Sequence, residues 1–214
     1  MKKLKVRPAK EKKPEKKSGL IQDMSIKEYL QVLGSAQSMP GGGCATALLA
    51  AQAAALGAMA CKISKNPKLA EEEKLLDAMT DFFMRQIEED RKSFLPLEKA
   101  LKMDKDDPER KLKLPAALRI AIMVPTDVMF SSARCAEVLI KVGENCRKSI
   151  LSDIVTALEF SLTAMKTSRF LILENTDGMV DEVFKNTIRR EGEILFEETE
   201  GKILKAIEKF STKL

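Results

Sequence analysis

The 214-residue chain contains no histidine, no tryptophan and a single tyrosine, Tyr29. The absence of histidine excludes any catalytic triad that relies on imidazole. The cysteines are not spaced as Cys-x-x-Cys pairs, so the sequence predicts no metal site; they are Cys44, Cys61, Cys135 and Cys146. Acid–base chemistry is therefore left to carboxylates, lysine, cysteine or Tyr29.

Long apolar runs are also missing, since none approaches the ~20 residues that a transmembrane helix requires. No apolar stretch follows the basic N-terminus, which therefore does not resemble a secretory signal, and its acidic residues disfavour a transit peptide. We expect a cytoplasmic protein with no membrane partner, whose cysteines are free thiols in a reducing compartment.

The net charge of +5 comes from one short segment. Of the 37 basic and 32 acidic residues, nine basic and two acidic ones lie in residues 1–17, which leaves 28 basic and 30 acidic residues elsewhere. Because it has few apolar residues and two prolines, we predict that residues 1–18 form a disordered basic tail. A solubilising tail is preferred to one that binds an acidic surface. Nucleic-acid binding, which would weaken steeply with salt, is not expected.

Residues 19–214 show no alternating strand pattern and predict a single all-α domain. The expected architecture is an up-and-down helix bundle with long helices kinked by proline. Pro96 is predicted to kink or break its helix, and Pro115 and Pro125 to interrupt the next segment. The predicted helices span approximately residues 25–36, 43–64, 67–102, 108–143 and 149–173, and a charged last helix spans about 177–211. A capping box at Ser25 and Glu28 marks the start of the first of these helices, and a cap at Asp107 before Pro108 marks the start of the fourth.

The most distinctive local feature is a turn formed by Pro40, Gly41, Gly42 and Gly43, directly before an alanine-rich helix. Glycines leave backbone N–H groups uncovered, and a helix N-terminus adds unpaired donors and a positive dipole end. The turn therefore predicts a site for an anion or a carbonyl group. It lacks the spacing of the two common nucleotide-binding glycine motifs. The small side chains of the helix predict a central, buried position.

Asp90 is the first candidate for acid–base chemistry. It falls on the apolar stripe of the third helix, at three- and four-residue steps from Phe83, Ile87 and Phe94. A carboxylate in that position must be paired, solvated by a pocket or protonated. Partial burial raises the pKa of a carboxyl group toward neutrality, as a proton donor or acceptor requires. The alternative is an aspartate that is bonded to a neighbouring helix.

Four other residues are candidates for a functional role, but a purely structural role also explains each of them. Ser152 and Asp153 open a helix, where both residue types are preferred N-caps. Cys44 stands at a helix N-terminus, where the dipole lowers the pKa of a thiol, but a small packing residue is the favoured interpretation. Lys65 lies at the far end of the same helix, where a cation offsets the dipole.

Taken in their order along the chain, these segments resemble the formiminotetrahydrofolate cyclodeaminase / methenyltetrahydrofolate cyclohydrolase family. The glycine turn with its alanine helix is similar to the family's Pro-Gly-Gly-Gly-Ser segment, and residues 89–94 match its acidic-Asp-x-x-x-Phe segment. Cys44 replaces the family's serine, and residues 166–171 lack the family's asparagine. The resemblance covers about residues 25–184 and also includes residues 61–65, 124–125, 143–145 and 152–153.

The resemblance implies a homodimeric helical bundle that binds a tetrahydrofolate derivative and needs no further cofactor or metal. A cyclodeaminase would convert 5-formiminotetrahydrofolate into 5,10-methenyltetrahydrofolate and ammonia. A cyclohydrolase would interconvert the methenyl compound and 10-formyltetrahydrofolate. The alternative of another class is a non-catalytic helical folate-binding or scaffold protein.

The resemblance also assigns roles to residues. It implies that Asp90 is the catalytic acid–base group, that Asp153 holds the pterin donors and that Lys65 holds the glutamate carboxylates. The complete set implied to bind substrate is Pro40, Gly41, Gly42, Gly43, Cys44, Lys65, Phe94, Ser152 and Asp153.

Overall fold

The structure, a computed structural model, describes residues 19–214, so the predicted basic tail lies outside the described residues. Within residues 19–214 every regular element is helical, which confirms the all-α prediction. Short 3₁₀ turns precede three of the α-helices. The α-helices are α1 (Ile26–Leu33), α2 (Gly42–Ser64), α3 (Ala70–Leu101), α4 (Pro108–Asn145), α5 (Leu151–Asp177) and α6 (Glu182–Ser211).

Side-chain caps at several helix starts follow the sequence signals. Ser25 accepts a hydrogen bond from the Glu28 backbone N–H, and the Glu28 carboxylate accepts one from the Ser25 N–H, which completes a capping box. Asp107 caps α4 through the Glu109 N–H. Ser152 and Asp153 do not cap α5, because they lie inside its first turn and the N-cap position is Ile150.

Helix α2 is the central helix of the bundle, as its composition predicts. Most of its alanines are buried, and it packs against α3, α4 and α5. A Cβ at Gly57 would overlap the Leu139 side chain of α4 and lie 3.0 Å from Leu76 Cδ1 of α3. Small residues therefore allow three neighbouring helices to approach the α2 backbone closely.

Helices α2 to α6 alternate in direction, which fixes the two ends of the bundle. We call the end that holds Gly41–Gly43 the glycine end and the end that holds Lys65 the distal end. At the distal end, the Asn66 side chain donates to the Asn145 carbonyl, and the Arg147 N–H donates to Ser64 Oγ, both at 3.0 Å. The end of α4 and the start of α5 therefore lie beside the end of α2.

The prolines interrupt the helices less than the sequence predicts. Helix α3 continues through Pro96 to Leu101, and α4 runs without a break through Pro115 and Pro125. A proline inside a helix costs about 3 kcal/mol. The apolar face that α4 buries along its length outweighs that cost, so the predicted interruptions were wrong.

The expectation that no apolar segment approaches the length of a membrane span was wrong, because α2 and α4 are long and apolar enough to cross a membrane by length and composition alone. The core helix of a water-soluble bundle passes the same test. In α2, 61% of the apolar window is buried by the other helices, as expected for a helix at the centre of a bundle.

Candidate functional site

A cavity of about 500 Å³ opens at the glycine end, between the glycine turn and helices α3, α4 and α5. Its floor is formed by Gly41, Gly42 and Gly43, at the N-terminus of α2. The cavity exists because the turn carries no side chains at the place where these helices converge.

One face of α3 forms a wall of the cavity. Asp90, Ser93, Phe94 and Leu97 recur at helical spacing and all line it. Apolar residues of this stripe that lie nearer the distal end, such as Phe83, are fully buried. The stripe therefore passes from the core into the cavity at Asp90, which explains why a carboxylate is tolerated there.

The Asp90 carboxylate lies directly against the N-terminus of α2. A Cβ at Gly43 would overlap this carboxylate, so only glycine permits the contact. The Cys44 sulfur lies 3.3 Å from Asp90 Oδ2, and the Cys44 thiol donates to this oxygen. The anion expected at this helix N-terminus is thus supplied by the protein's own α3.

Burial raises the pKa of the Asp90 carboxyl, and the hydrogen bonds from the Cys44 side chain and backbone oppose the rise. Burial, together with the nearby Asp90 charge, also raises the pKa of the Cys44 thiol to about 12. The thiol is therefore protonated at neutral pH, and the structure does not support an activated cysteine nucleophile. Asp90 is thus a carboxyl at the cavity wall whose charged form is disfavoured by burial, which is the environment that a proton donor or acceptor requires.

A second layer of ionisable groups lies behind Asp90. Burial raises the pKa of Tyr29 to about 12, with smaller contributions from Cys44 and Asp90. Glu88 is 4% exposed and forms an ion pair with Arg91, whose hydrogen bond holds the pKa of that carboxyl below its usual range. The same helix therefore carries one carboxylate that is kept charged and another whose charged form is disfavoured.

Comparison with known proteins identifies the family to which the chain belongs. The model of the family described as formiminotransferase-cyclodeaminase matches residues 25–193, which is most of the chain. The chain belongs to this family.

Several family members are related to the chain at low identity. The formimidoyltransferase-cyclodeaminase of Rattus norvegicus is 26% identical over 188 residues, which cover 82% of this chain and 35% of the rat protein. The methenyltetrahydrofolate cyclohydrolase of Methylorubrum extorquens is 26% identical over 190 residues, covering 81% and 89% of the two chains. This chain spans about a third of the length of the curated formimidoyltransferase-cyclodeaminases it matches.

The fold is also that of a solved structure. The crystal structure of formiminotetrahydrofolate cyclodeaminase from Thermotoga maritima superposes with a TM-score of 0.70 at 23% identity, covering 89% of this chain and 96% of that one. This chain and the Thermotoga maritima protein therefore share one helix-bundle fold.

The structure brings together most of the site residues that the family resemblance implies. Gly41, Gly42, Gly43, Asp90 and Phe94 line one cavity. Two others lie beside the lining residues: Pro40 is the buried first residue of the turn, and Cys44 contacts Asp90 from within the core.

Lys65, Ser152 and Asp153 do not line this cavity. Lys65 terminates α2 at the distal end, and a helix of 23 residues is roughly 35 Å long. Ser152 and Asp153 lie in the first turn of α5, at the same end. Within one chain, these three side chains and Asp90 therefore cannot contact the same small part of a ligand.

Sequence reasoning missed the α5 side of the cavity. Glu174, Asn175 and Asp177 line it from the last turns of that helix, and Pro125 lines it from α4. The polar run before Gly178 resembles an ordinary helix end, so the sequence carries no strong signal of a ligand there. Asn175 lies one to two turns beyond the segment in which the resemblance places the family's asparagine.

The described residues that line the cavity include carboxylates but no lysine or arginine. Asp90 and Glu174 supply negative charge, as does Asp177, which also pairs with Arg189 at 3.6 Å, and the turn and Asn175 supply neutral polar groups. Such a lining favours a ligand that presents N–H donors or a positive charge. Across residues 19–214, no cluster of three or more cysteine, aspartate or glutamate side chains is arranged to hold a metal ion.

Proposed function

We propose that this protein is a folate one-carbon enzyme, a formiminotetrahydrofolate cyclodeaminase that forms 5,10-methenyltetrahydrofolate and ammonia. One observation supports this most directly: the half-buried Asp90 carboxyl, with its raised pKa, lies in the wall of an acidic cavity at a glycine turn. The formimino group is an amidine and the methenyl product is a cation, so both suit a cavity lined by carboxylates and no basic side chain.

The proposed chemistry needs one group that can both give and take a proton. The formimino group reacts as the protonated amidine: N10 of the folate attacks its carbon, and a tetrahedral carbon that carries a neutral –NH2 group forms between N5 and N10. The bond from this carbon to the leaving amine then breaks as the Asp90 carboxyl gives that nitrogen a proton, and ammonia departs. The carboxylate that remains accepts the proton that N10 loses. Burial of Asp90 brings its pKa closer to the value at which both transfers are rapid.

Methenyltetrahydrofolate cyclohydrolase is the second candidate. It is supported by the similarity to the Methylorubrum extorquens cyclohydrolase over 89% of that protein's length. Water would add to the methenyl carbon while Asp90 accepts one of its protons. Asp90 would then return that proton to N5 as the bond from the carbon to N5 breaks, and loss of the hydroxyl proton to solvent would leave 10-formyltetrahydrofolate. The same carboxyl group serves both reactions, so the substrate added to the assay distinguishes them.

The decisive experiment measures ammonia released from 5-formiminotetrahydrofolate and, separately, loss of 5,10-methenyltetrahydrofolate. Asp90→Asn should reduce turnover by roughly 10²–10⁴-fold with little change in binding. Its melting temperature should be equal or higher, because a partly buried ionisable group is removed. Asp81→Asn is the matched control, since Asp81 is exposed on the same helix.

A destabilised but fully active Asp90→Asn variant would contradict the mechanism. Titration with folinate tests the remaining alternative of a non-catalytic protein. Binding of one folate per site without turnover of either substrate would indicate a folate-binding relative, and no binding would indicate a scaffold.

We also propose a cytoplasmic homodimer, in which a second copy completes the site. Ile120, Met123 and Phe130 are 48%, 53% and 43% exposed and lie on one face of α4, as an apolar interface requires. The glutamate carboxylates of a folate need a cation that the cavity lining does not supply. In a two-fold dimer, Lys65 at the distal end of the second copy is suited to that role.

Light scattering tests the assembly, and complementation tests the shared site. Met123→Glu should convert the dimer to a monomer, because a charge would be buried at the interface. Mixing Asp90→Asn and Lys65→Ala subunits should restore part of the activity that each variant lacks, since one of the two sites would then be intact. If both variants are inactive alone and the mixed dimer is also inactive, the site is not shared between subunits.

A further inference from the structure

The Cys44 thiol lies between two hydrogen-bond acceptors and has one hydrogen to donate. Its sulfur is 3.3 Å from Asp90 Oδ2 and also 3.3 Å from the Ile87 carbonyl oxygen. The residue is fully buried, so no water or ligand competes for that hydrogen. A thiol at these distances can donate to either oxygen after a rotation about one bond.

The protonation state of Asp90 determines which acceptor is better. A charged carboxylate is a stronger acceptor than a peptide carbonyl, so the thiol hydrogen points to Asp90 Oδ2 when the carboxyl is ionised. When Oδ2 carries a proton, the thiol hydrogen and that proton would oppose each other. The thiol then donates its hydrogen bond to the Ile87 carbonyl instead, and the sulfur becomes a weak acceptor for a hydrogen bond from the protonated carboxyl.

We propose that Cys44 is a positioning residue, whose thiol holds the Asp90 carboxyl in one orientation through both halves of its proton-transfer cycle by exchanging its hydrogen bond between Oδ2 and the Ile87 carbonyl. The proposal rests on the acid–base role proposed for Asp90. It gives a chemical reason for a side chain with one rotatable hydrogen at the position where the family resemblance places serine.

The other ionisable groups around Asp90 do not provide this exchange. Tyr29 approaches from α1, and its buried hydroxyl has no hydrogen-bond partner among the described residues. Glu88 and Arg91, on the same helix as Asp90, are engaged with each other. Glu174 and Asp177 face the cavity from α5 and carry like charge. Cys44 is the side chain that donates a hydrogen bond to the Asp90 carboxylate.

Infrared difference spectra against pH test the proposal without substrate. The protonated carboxyl band of Asp90, identified as the band that Asp90→Asn lacks, reports the pKa of this group. The thiol stretching band of Cys44, identified as the band that Cys44→Ala lacks, should shift as Asp90 titrates and should stop shifting in Asp90→Asn. A Cys44 band that is constant through the Asp90 titration would overturn the proposal.

Replacement of Cys44 by alanine and by serine should have different effects on the pKa of Asp90. Cys44→Ala removes a donor that favours the charged form, so the pKa of Asp90 should rise by about one unit and the pH profile of kcat/KM should move with it. Cys44→Ser keeps a rotatable hydrogen and should restore the parental profile or lower this pKa. Cys61→Ala, another buried cysteine of α2, is the matched control and should leave the profile unchanged.

An unchanged Asp90 pKa in a folded Cys44→Ala protein would overturn the proposal, as would equal effects of serine and alanine. Failure of the proposed function gives a different result. If the parent turns over neither folate substrate but the thiol band follows the Asp90 titration, the contact is supported and the enzyme assignment is wrong.

Discussion

The glycine turn offers a matched pair of single-methyl substitutions. A Cβ at Gly43 would overlap the Asp90 carboxylate, whereas a Cβ at Gly42 would meet nothing within 4 Å. Both glycines lie in the first turn of α2, and neither has a positive φ. Gly43→Ala therefore displaces the proposed catalytic group, and Gly42→Ala adds the same methyl group one residue away without that contact.

The two variants should differ in stability. Alanine in place of a glycine with ordinary helical φ reduces the entropy of the unfolded chain, so Gly42→Ala should be more stable by about 0.4–1 kcal/mol. Gly43→Ala has the same benefit, but overpacking against Asp90 costs about 1–3 kcal/mol. We therefore expect Gly43→Ala to be less stable than Gly42→Ala by about 1–3 kcal/mol and less stable than the parent by at most about 2.6 kcal/mol, which leaves it folded.

The two variants should differ more in activity. A displacement of about 1 Å at a catalytic group can cost 10²-fold in rate, so kcat of Gly43→Ala should fall roughly 10²-fold or more. Gly42→Ala leaves Asp90 in place and should keep a kcat near that of the parent, whereas its KM for the folate should rise because Gly42 lines the cavity. The assay is ammonia release or methenyl hydrolysis at saturating substrate, with urea denaturation of each variant in parallel. Equal kcat values for the two variants would refute the placement of Asp90 against Gly43.

Two further predictions concern the scaffold. Glu88→Gln should lower the free energy of unfolding at pH 7 by about 1–3 kcal/mol, because Arg91 loses its charged partner. Because the pKa of Glu88 is lower in the folded protein than in the unfolded chain, its charged form stabilises the fold at pH values above the ordinary carboxyl pKa. This stabilisation is lost as the pH falls through the pKa of Glu88 in the folded protein. Urea denaturation between about pH 7 and pH 3 should therefore show a weaker dependence of stability on pH in Glu88→Gln than in the parent. Gly57→Ala should destabilise by about 1–3 kcal/mol through its overlap with Leu139, whereas Gly201→Ala in α6, with open space around it, should be neutral or stabilising; a Gly57→Ala protein as stable as Gly201→Ala would contradict the packing of α2.

Much of the fold could be predicted from local sequence. The alanine-rich segment predicted the central helix α2, because small side chains on every face allow neighbours to pack on all sides. Caps at Ser25 and Asp107 marked two helix starts, since Ser and Asp side chains bond the first N–H groups in any context. The interruptions predicted at Pro115 and Pro125 were wrong, because whether a helix continues through a proline depends on the apolar area that the whole helix buries.

The candidate site could be predicted only in part. The spacing of Asp90 from Phe83, Ile87 and Phe94 placed a carboxylate on an apolar stripe, and the structure shows that stripe entering the cavity. The spacing did not indicate that the carboxylate would meet the α2 N-terminus. Nor did it show that Lys65 and Asp153 lie at the opposite end of the bundle, because distance along a helix bundle depends on how the helices are arranged.

The sequence by itself determined the helices, the exclusion of imidazole chemistry and the family, because these follow from residue types and their order. Only the tertiary structure decided what surrounds each side chain. Burial raises the pKa of Asp90 and keeps the Cys44 thiol protonated, while an ion pair holds Glu88 charged two residues away. Two carboxylates on one helix thus differ in ionisation because desolvation and hydrogen bonding depend on neighbours that lie far apart in the chain.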